Sequence, residues 1–237
     1  MTITTDAERQ ASPPTARADR IFAGLAKAAG ITILVALAAV FVFLAIEGIP
    51  GINKPAVNYR PLDSFLPYVA RLLFGTVFIG LVALVIAVPF AVGIALFISH
   101  YAPRALAVPV AYVIDLLAAV PSVVFGLWGA RTLGPYMVTA HAWLEDHLGF
   151  IPLFKGPASV TGKTVLTAGM VLAIMILPII TAICREIFAQ APRLDEEAAL
   201  ALGATRWEMI RLSVFPYARS GMVSAVMLGL GRALGET

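Results

Sequence analysis

Arg232 and Glu236 lie four residues apart in an apolar run that opens at Tyr217. That spacing is about one helical turn, so guanidinium and carboxylate share a helix face and are within reach of each other. Arg232 is thirteen residues past Arg219. At ~1.5 Å per residue this is about 20 Å along a helix, well inside a hydrocarbon core ~30 Å thick. A charge at such depth costs on the order of 2.5–3.5 kcal/mol, so groups of this kind face a bundle interior or a wet cavity. Two chemistries fit. The pair is either a buried structural ion pair, or a pathway arginine that greets an oxyanion with its planar fork of donors, with Glu236 as counter-charge or gate. Gly231 and Gly235 form a G-x-x-x-G beside them, which predicts close approach by another helix.

The remaining reactive side chains are sparse. Asp115 sits about ten residues into an apolar segment; an unpaired carboxylate there would repel an anion, which favours a structural role or a basic partner. His141 and His147 are six apart, on different faces of any helix, with no cysteine nearby, so no metal site is expected. Cys184 is the single cysteine, which excludes a disulfide within the chain. Gly162-Lys163-Thr164 resembles the end of a phosphate-cradling loop. However, Gly156 leaves five residues before the G-K pair where four are needed, and there is no strand–helix context, so nucleotide binding is rejected. No nucleophile, base and orienter occur together, so no catalytic residue is assigned.

One hydrophilic stretch stands between two apolar segments. Leu194 to Pro216 carries Asp195, Glu196, Glu197, Arg206, Glu208 and Arg211. Glu, Ala and Leu favour helix over its first half, and acids at 195–197 suit a helix N-terminus. Gly203 offers a break, and a second helical run from Thr205 to Val214 is expected to end at Pro216. Helix, glycine turn and helix make a rigid charged knob suited to a groove on a soluble partner.

The elements that must position these groups are membrane helices. Of the 237 residues, 60% are hydrophobic and only 13% charged, against about 25% charged in soluble domains. The net charge of +3 comes with no basic cluster interleaved with aromatics, which excludes nucleic acid as a partner. The pattern predicts an all-α polytopic bundle. Residues 1–25 read as a cytoplasmic tail, with a mobile polar start containing Pro13 and Pro14; no cleavable signal peptide is evident. The first span is expected over 26–46 and an incomplete transmembrane domain over 72–237. Within that domain, spans are expected near 72–99, 106–130, 165–187 and from 217 onward. Gly126 and Gly129 should thin the third span for a neighbour. A proline-rich connector runs from Glu47 to Tyr68. A short interfacial helix over 135–148 would be anchored by Tyr136 and Trp143. With the N-terminus inside, Arg104, Arg185, Arg193, Arg206, Arg211 and Arg219 fall inside with the basic leader. Lys54, Arg60, Arg71, Arg131, Lys155 and Lys163 fall outside. This balance favours that orientation and places Leu194–Pro216 in the cytoplasm.

Glu197-Ala198-Ala199, three residues, Gly203, and Pro216 after a fixed gap resemble the EAA loop of ABC-importer permeases; Ser213 and Phe215 depart from its usual aliphatic residues. A-A-V-P-S-V-V-F-G-L-W-G, I-M-I-L-P-I-I-T-A and G-L-G-R-A-L-G-E-T resemble the phosphate-specific members, their C-type subunits in particular, over roughly 72–237. The resemblance implies a type I importer permease fold with a sixth span that this chain lacks, so that it reads as C-terminally truncated. It also implies docking of the loop on cytoplasmic ATP-binding subunits, a second permease subunit in a heterodimer and an extracytoplasmic phosphate-binding protein. No cofactor is expected in this chain, ATP being hydrolysed on the partner. The expected function is inward phosphate translocation across the cytoplasmic membrane. Sulfate or molybdate is the nearest alternative substrate. An ion-coupled secondary transporter is a further rival, with only Asp115, Arg232 and Glu236 in its favour; a membrane-embedded enzyme is another, without catalytic groups.

Overall fold

The structure is a computed structural model that describes residues 16–52, 64–151, 154 and 157–236. It is helical throughout, with no strand among the described residues. The chain divides into two units, Met1–Ala70 and Arg71–Thr237. In the first, α1 (Ala16–Ile52) already covers the last ten residues of the expected tail, and it outruns the expected span at both ends. Its apolar stretch Asp19–Ile52 buries nothing within the chain. Residues 1–15, and the prolines of the connector at 55 and 61, lie outside the described residues.

The second unit is built on two long helices and one shorter partner. α2 (Phe65–Leu96) begins in the first unit and carries most of its length into the second. α6 (Val165–Ala189) is the most buried helix, and α9 (Phe215–Glu236) packs along it. Ala83, Ala87, Ala91 and Ala95 recur at i, i+4 on α2 and are all fully buried. Leu172, Ile176, Ile180, Cys184 and Phe188 make the matching i, i+4 ridge of α6. Small residues let helix backbones approach where no hydrophobic force drives them together in lipid. On α9 that role falls to Ala218, Ala225, Gly229 and Ala233. Gly221 and Gly229 are the tight positions of α9: a Cβ would sit 2.6 Å from Ile187 Cδ1 at the first and 2.7 Å from Ile180 Cδ1 at the second. Gly231 and Gly235, where the sequence predicted close approach, face open space. Likewise Gly129 meets Val171 while Gly126 meets nothing.

The third expected span is not one helix. α3 (Arg104–Ala118) and α4 (Ser122–Trp128) are separated at Ala119–Pro121, and the paths of Arg104–Ala118 and Ser122–Leu148 differ by 92°. Pro121 has no N–H to donate, and the residue before a proline is pushed out of the helical region. The apolar run 106–130 hides this break, because hydropathy is indifferent to backbone geometry. Beyond it the chain stays helical through α5 (Gly134–Leu148), so Arg131 belongs to a helix and not to a loop. The short helix expected over 135–148 is present, with Tyr136 and Trp143 exposed. Among the described residues, three helices are long and apolar enough to cross a membrane, or four if the bent pair is one span. α9 has 22 residues, which is span length, but its arginines, serines and glycines make it less apolar than those.

Among the described residues, three π turns punctuate the helices: Phe97–Tyr101 after α2, Gly129–Leu133 before α5, and Ile210–Val214 before α9. In each, the residue that precedes a proline donates to the carbonyl five back: Ala102 to Phe97, Gly134 to Gly129, Phe215 to Ile210. A proline clashes with the carbonyl four residues before it. Widening the preceding turn accommodates the ring, and in the latter two cases the helix continues beyond it. Pro216 therefore does not end the second arm of the hydrophilic stretch. It is the second residue of α9, and α8 (Arg206–Met209), the π turn and α9 form one continuous path.

Candidate functional site

The hydrophilic stretch folds as the sequence suggests up to Ser213. α7 (Arg193–Ala201) has Asp195 and Glu196 in its first turn, where acids complement the exposed N–H groups. It closes on Gly203 at φ +88°. Gly203 N donates to Leu200 O at 3.0 Å and Ala204 N to Ala199 O at 3.1 Å, the paired bonds of a left-handed C-terminal cap. Nothing stands within 4 Å of where a Cβ would be, so a substitution here acts through backbone strain alone. Gly203→Ala is expected to destabilise this turn by ~1 kcal/mol, which speeds amide exchange at Gly203 and Ala204 about fivefold. Asn, which tolerates the left-handed region, recovers most of the loss. Exchange unchanged in the alanine variant would show that the glycine does not set the turn.

α8 begins with a feature the sequence reading passed over. Thr205 and Glu208 have the T-x-x-E spacing of a reciprocal cap. Thr205 Oγ1 accepts from Glu208 N at 3.3 Å, and Glu208 Oε2 accepts from Thr205 N at 2.8 Å. The Thr205 hydroxyl also donates to Glu208 Oε2 at 2.8 Å, and the bonds to this carboxyl from the Thr205 backbone and hydroxyl lower its pKa from the ordinary value. Ser213 also finds a use: its hydroxyl donates to Asp195 O at 3.1 Å and ties α9's π turn back to α7. An aliphatic side chain at this position would lose that bond.

α7 turns its apolar side outward. Leu194, Glu197, Ala198, Ala201 and Leu202 follow the i, i+3, i+4, i+7, i+8 pattern of one helix face, and all five are exposed. Leu194 is 79% and Leu202 90% accessible. Glu196 and Ala199 are half-buried on the opposite side, and Ala199 packs against the core. Of the three motif residues, then, Glu197 and Ala198 face out and Ala199 faces in.

Arg232 and Glu236 are not joined by an ion pair. Among the described residues the two pairs are Arg185 with Asp115 and His100 with Glu196. Arg232 Nε is buried without a hydrogen-bond partner. Glu236 is exposed and lines a cavity of about 800 Å³ together with Ser122, Gly126, Lys163, Thr164 and Met175. The Gly162-Lys163-Thr164 turn that the sequence rejected as a phosphate cradle instead caps α6: Thr164 Oγ1 accepts from Thr167 N at 3.2 Å.

Asp115 finds the basic partner expected of it, Arg185, whose Nη2 donates to Oδ2 at 3.3 Å and Oδ1 at 3.4 Å. His141 Nε2 lies 2.9 Å from Thr164 Oγ1, while His147 Nδ1 approaches Trp143 O at 2.9 Å. The two histidines thus serve separate local contacts. The His100–Glu196 pair was not legible, being 96 residues apart in sequence.

Residues 87–237 match the family model of the binding-protein-dependent transport system inner membrane component. The phosphate transport system permease protein PstC 2 of Mycobacterium tuberculosis is 48% identical over 234 residues, which cover 94% of this chain and 72% of that protein. The PstC permease of Mycobacterium leprae is 44% identical over 94% of this chain and 73% of its own. That of Xylella fastidiosa strain Temecula1 is 39% identical over 94% and 71%. With a matched transport domain, close relatives over most of its length and several helices fit to cross a membrane, the chain belongs to the binding-protein-dependent transport system inner membrane component family and is a multi-pass membrane protein.

Proposed function

We propose that the chain is the permease subunit of an ATP-driven importer that carries inorganic phosphate inward across the cytoplasmic membrane, with its N-terminus inside. The observation that carries this reading is the outward apolar face of α7. An amphipathic helix normally turns such a face to its own core; here Leu194 and Leu202 are displayed to solvent on a rigid, doubly capped knob. Helix-in-groove docking on a soluble partner uses this i, i+3, i+4, i+7 arrangement of anchors. The partner is a cytoplasmic ATP-binding subunit, which binds and hydrolyses the ATP; this chain contributes no catalytic residue and holds no cofactor. A second permease subunit completes the pathway, and an extracytoplasmic phosphate-binding protein delivers the substrate. Phosphate as cargo is supported by the names of the relatives. Arg232 and Glu236 are the residues assigned to the path, Arg232 because a buried guanidinium nitrogen without a partner is available to an oxyanion.

The test is the assembled importer in proteoliposomes with internal ATP. Phosphate uptake should require ATP, survive collapse of the ion gradients, and resist excess sulfate and molybdate. Leu202→Asp places a carboxylate in the apolar groove and should weaken ATPase association at least about tenfold, or ~1.4 kcal/mol, without loss of membrane insertion. Gradient-driven uptake without ATP, or normal ATPase association in Leu202→Asp, would overturn the reading.

A further inference from the structure

α7 buries none of its residues. Apart from Ala199 packing on the core, its position is fixed by contacts with α8 and the π turn before α9, and by two polar links to longer helices. One is Ser213 to Asp195, at that same π turn. The other is His100 to Glu196, at the π turn that follows α2. Nε2 of His100 lies 3.4 Å from Oε1 of Glu196, with side chains only 10% and 20% accessible. Among the described residues it is the single side-chain hydrogen bond joining the α2 segment to α7. α7 is therefore suspended from two helices, each link falling at a π turn. π turns recur where helices carry function, because one extra residue per turn can be redistributed along the helix.

The imidazole is held in place from behind. Ser99 Oγ lies 2.7 Å from His100 Nδ1 and 2.9 Å from Ala95 O. If the hydroxyl proton goes to Nδ1, the ring proton is on Nε2. In that arrangement an N–H is aimed at Glu196. Arg193, Arg206 and Glu197 line the same pocket of about 420 Å³, which leaves room for the link to be carried along when α7 shifts.

We propose that His100 is a positioning residue for the coupling step, its bond to Glu196 making the end of α2 follow the displacement of α7. This rests on the reading that α7 docks the ATPase. Without the link, α7 still docks and ATP is still hydrolysed, but motion reaches α9 and not α2, so hydrolysis is spent without transport.

The experiment measures phosphate moved per ATP hydrolysed by the reconstituted importer, with ATPase association scored separately. His100→Ala and Glu196→Ala should each keep the ATPase bound and lower the ratio about fivefold or more, and the double variant should be no worse than either single one. His100→Gln, whose amide N–H reaches the place of Nε2, should stay within about twofold of wild type, while the shorter His100→Asn behaves as alanine. An unchanged ratio in the alanine variants overturns the proposal, as does a double variant that multiplies the two losses. Should the alanine variants fail to assemble, the Gln and Asn pair decides: equal behaviour of the two, high or low, overturns it. Failure of the docking reading looks different, because it appears as ATPase association unmoved by Leu202→Asp whatever the ratio does.

Discussion

Gly229→Leu should dissociate α9 from α6, whereas the same change two residues on, Gly231→Leu, should leave the chain intact. At 229 a single Cβ already falls 2.7 Å from Cδ1 and 2.8 Å from Cγ1 of Ile180. Ile180 is 0% accessible and part of the central ridge of α6, so it has no free volume to swing into. Overpacking of this kind costs ~1–3 kcal/mol, at times more. At 231 nothing stands within 4 Å, and replacing a mid-helix glycine adds helix propensity worth ~0.8–1 kcal/mol. The measurement is thermal unfolding of the detergent-solubilised chain, followed through loss of its monodisperse peak. The two variants should move the midpoint in opposite directions. Ile180→Ala combined with Gly229→Leu should recover part of the loss, because volume lost on one helix is supplied by the other. A midpoint at 229 equal to that at 231 would show that α6 and α9 are not packed through this contact.

These contacts mark what a sequence can and cannot disclose. Helical spans are legible because a long apolar run in a chain with few charges has few other fates. The knob is legible because glycine and a run of helix formers each have a local meaning, and Gly203 at positive φ is the local prediction realised. Pro121 and Pro216 were visible too, but their meanings diverge with context. One breaks α3 from α4, and the other follows a widened turn and lets the helix go on. Nothing in apolar periodicity separates these cases; the difference lies in whether neighbours tolerate the extra residue of a π turn. Close approach was expected at Gly231 and Gly235 on the G-x-x-x-G pattern. It occurs at Gly221 and Gly229 instead, because Ile187 and Ile180 of α6 face that side. The pattern states that an approach is possible, and only the partner helix states where. The same limit hid His100–Glu196 and left the partner of Asp115 unnamed, since a bond between distant segments has no local signature.

Arg232→Gln should abolish phosphate uptake while leaving insertion and ATPase association near wild type, and adding Glu236→Gln should not restore it. Were the two residues a mutually balancing pair, removing one would cost about 3–5 kcal/mol by stranding the other, and removing both would be close to neutral. No such pair is present: Arg232 Nε has no partner, and Glu236 faces the large cavity. Neutralising Arg232 therefore strands nothing, and folding should barely change. Transport is a different matter. Phosphate bears one to two negative charges near neutral pH, and its passage through a low-dielectric constriction needs donors that replace its hydration shell. Gln offers one neutral amide where Arg offers a charged planar fork, so the barrier rises for the anion alone. Arg232→Lys should restore part of the uptake, keeping charge but losing bidentate geometry. Glu236→Gln alone should retain substantial uptake if the carboxylate is a counter-charge, and should leak phosphate without ATP if it is a gate. The readout is uptake normalised to assembled complex. Recovery of uptake in the Arg232→Gln, Glu236→Gln double variant would place both residues among the structural groups and remove Arg232 from the path.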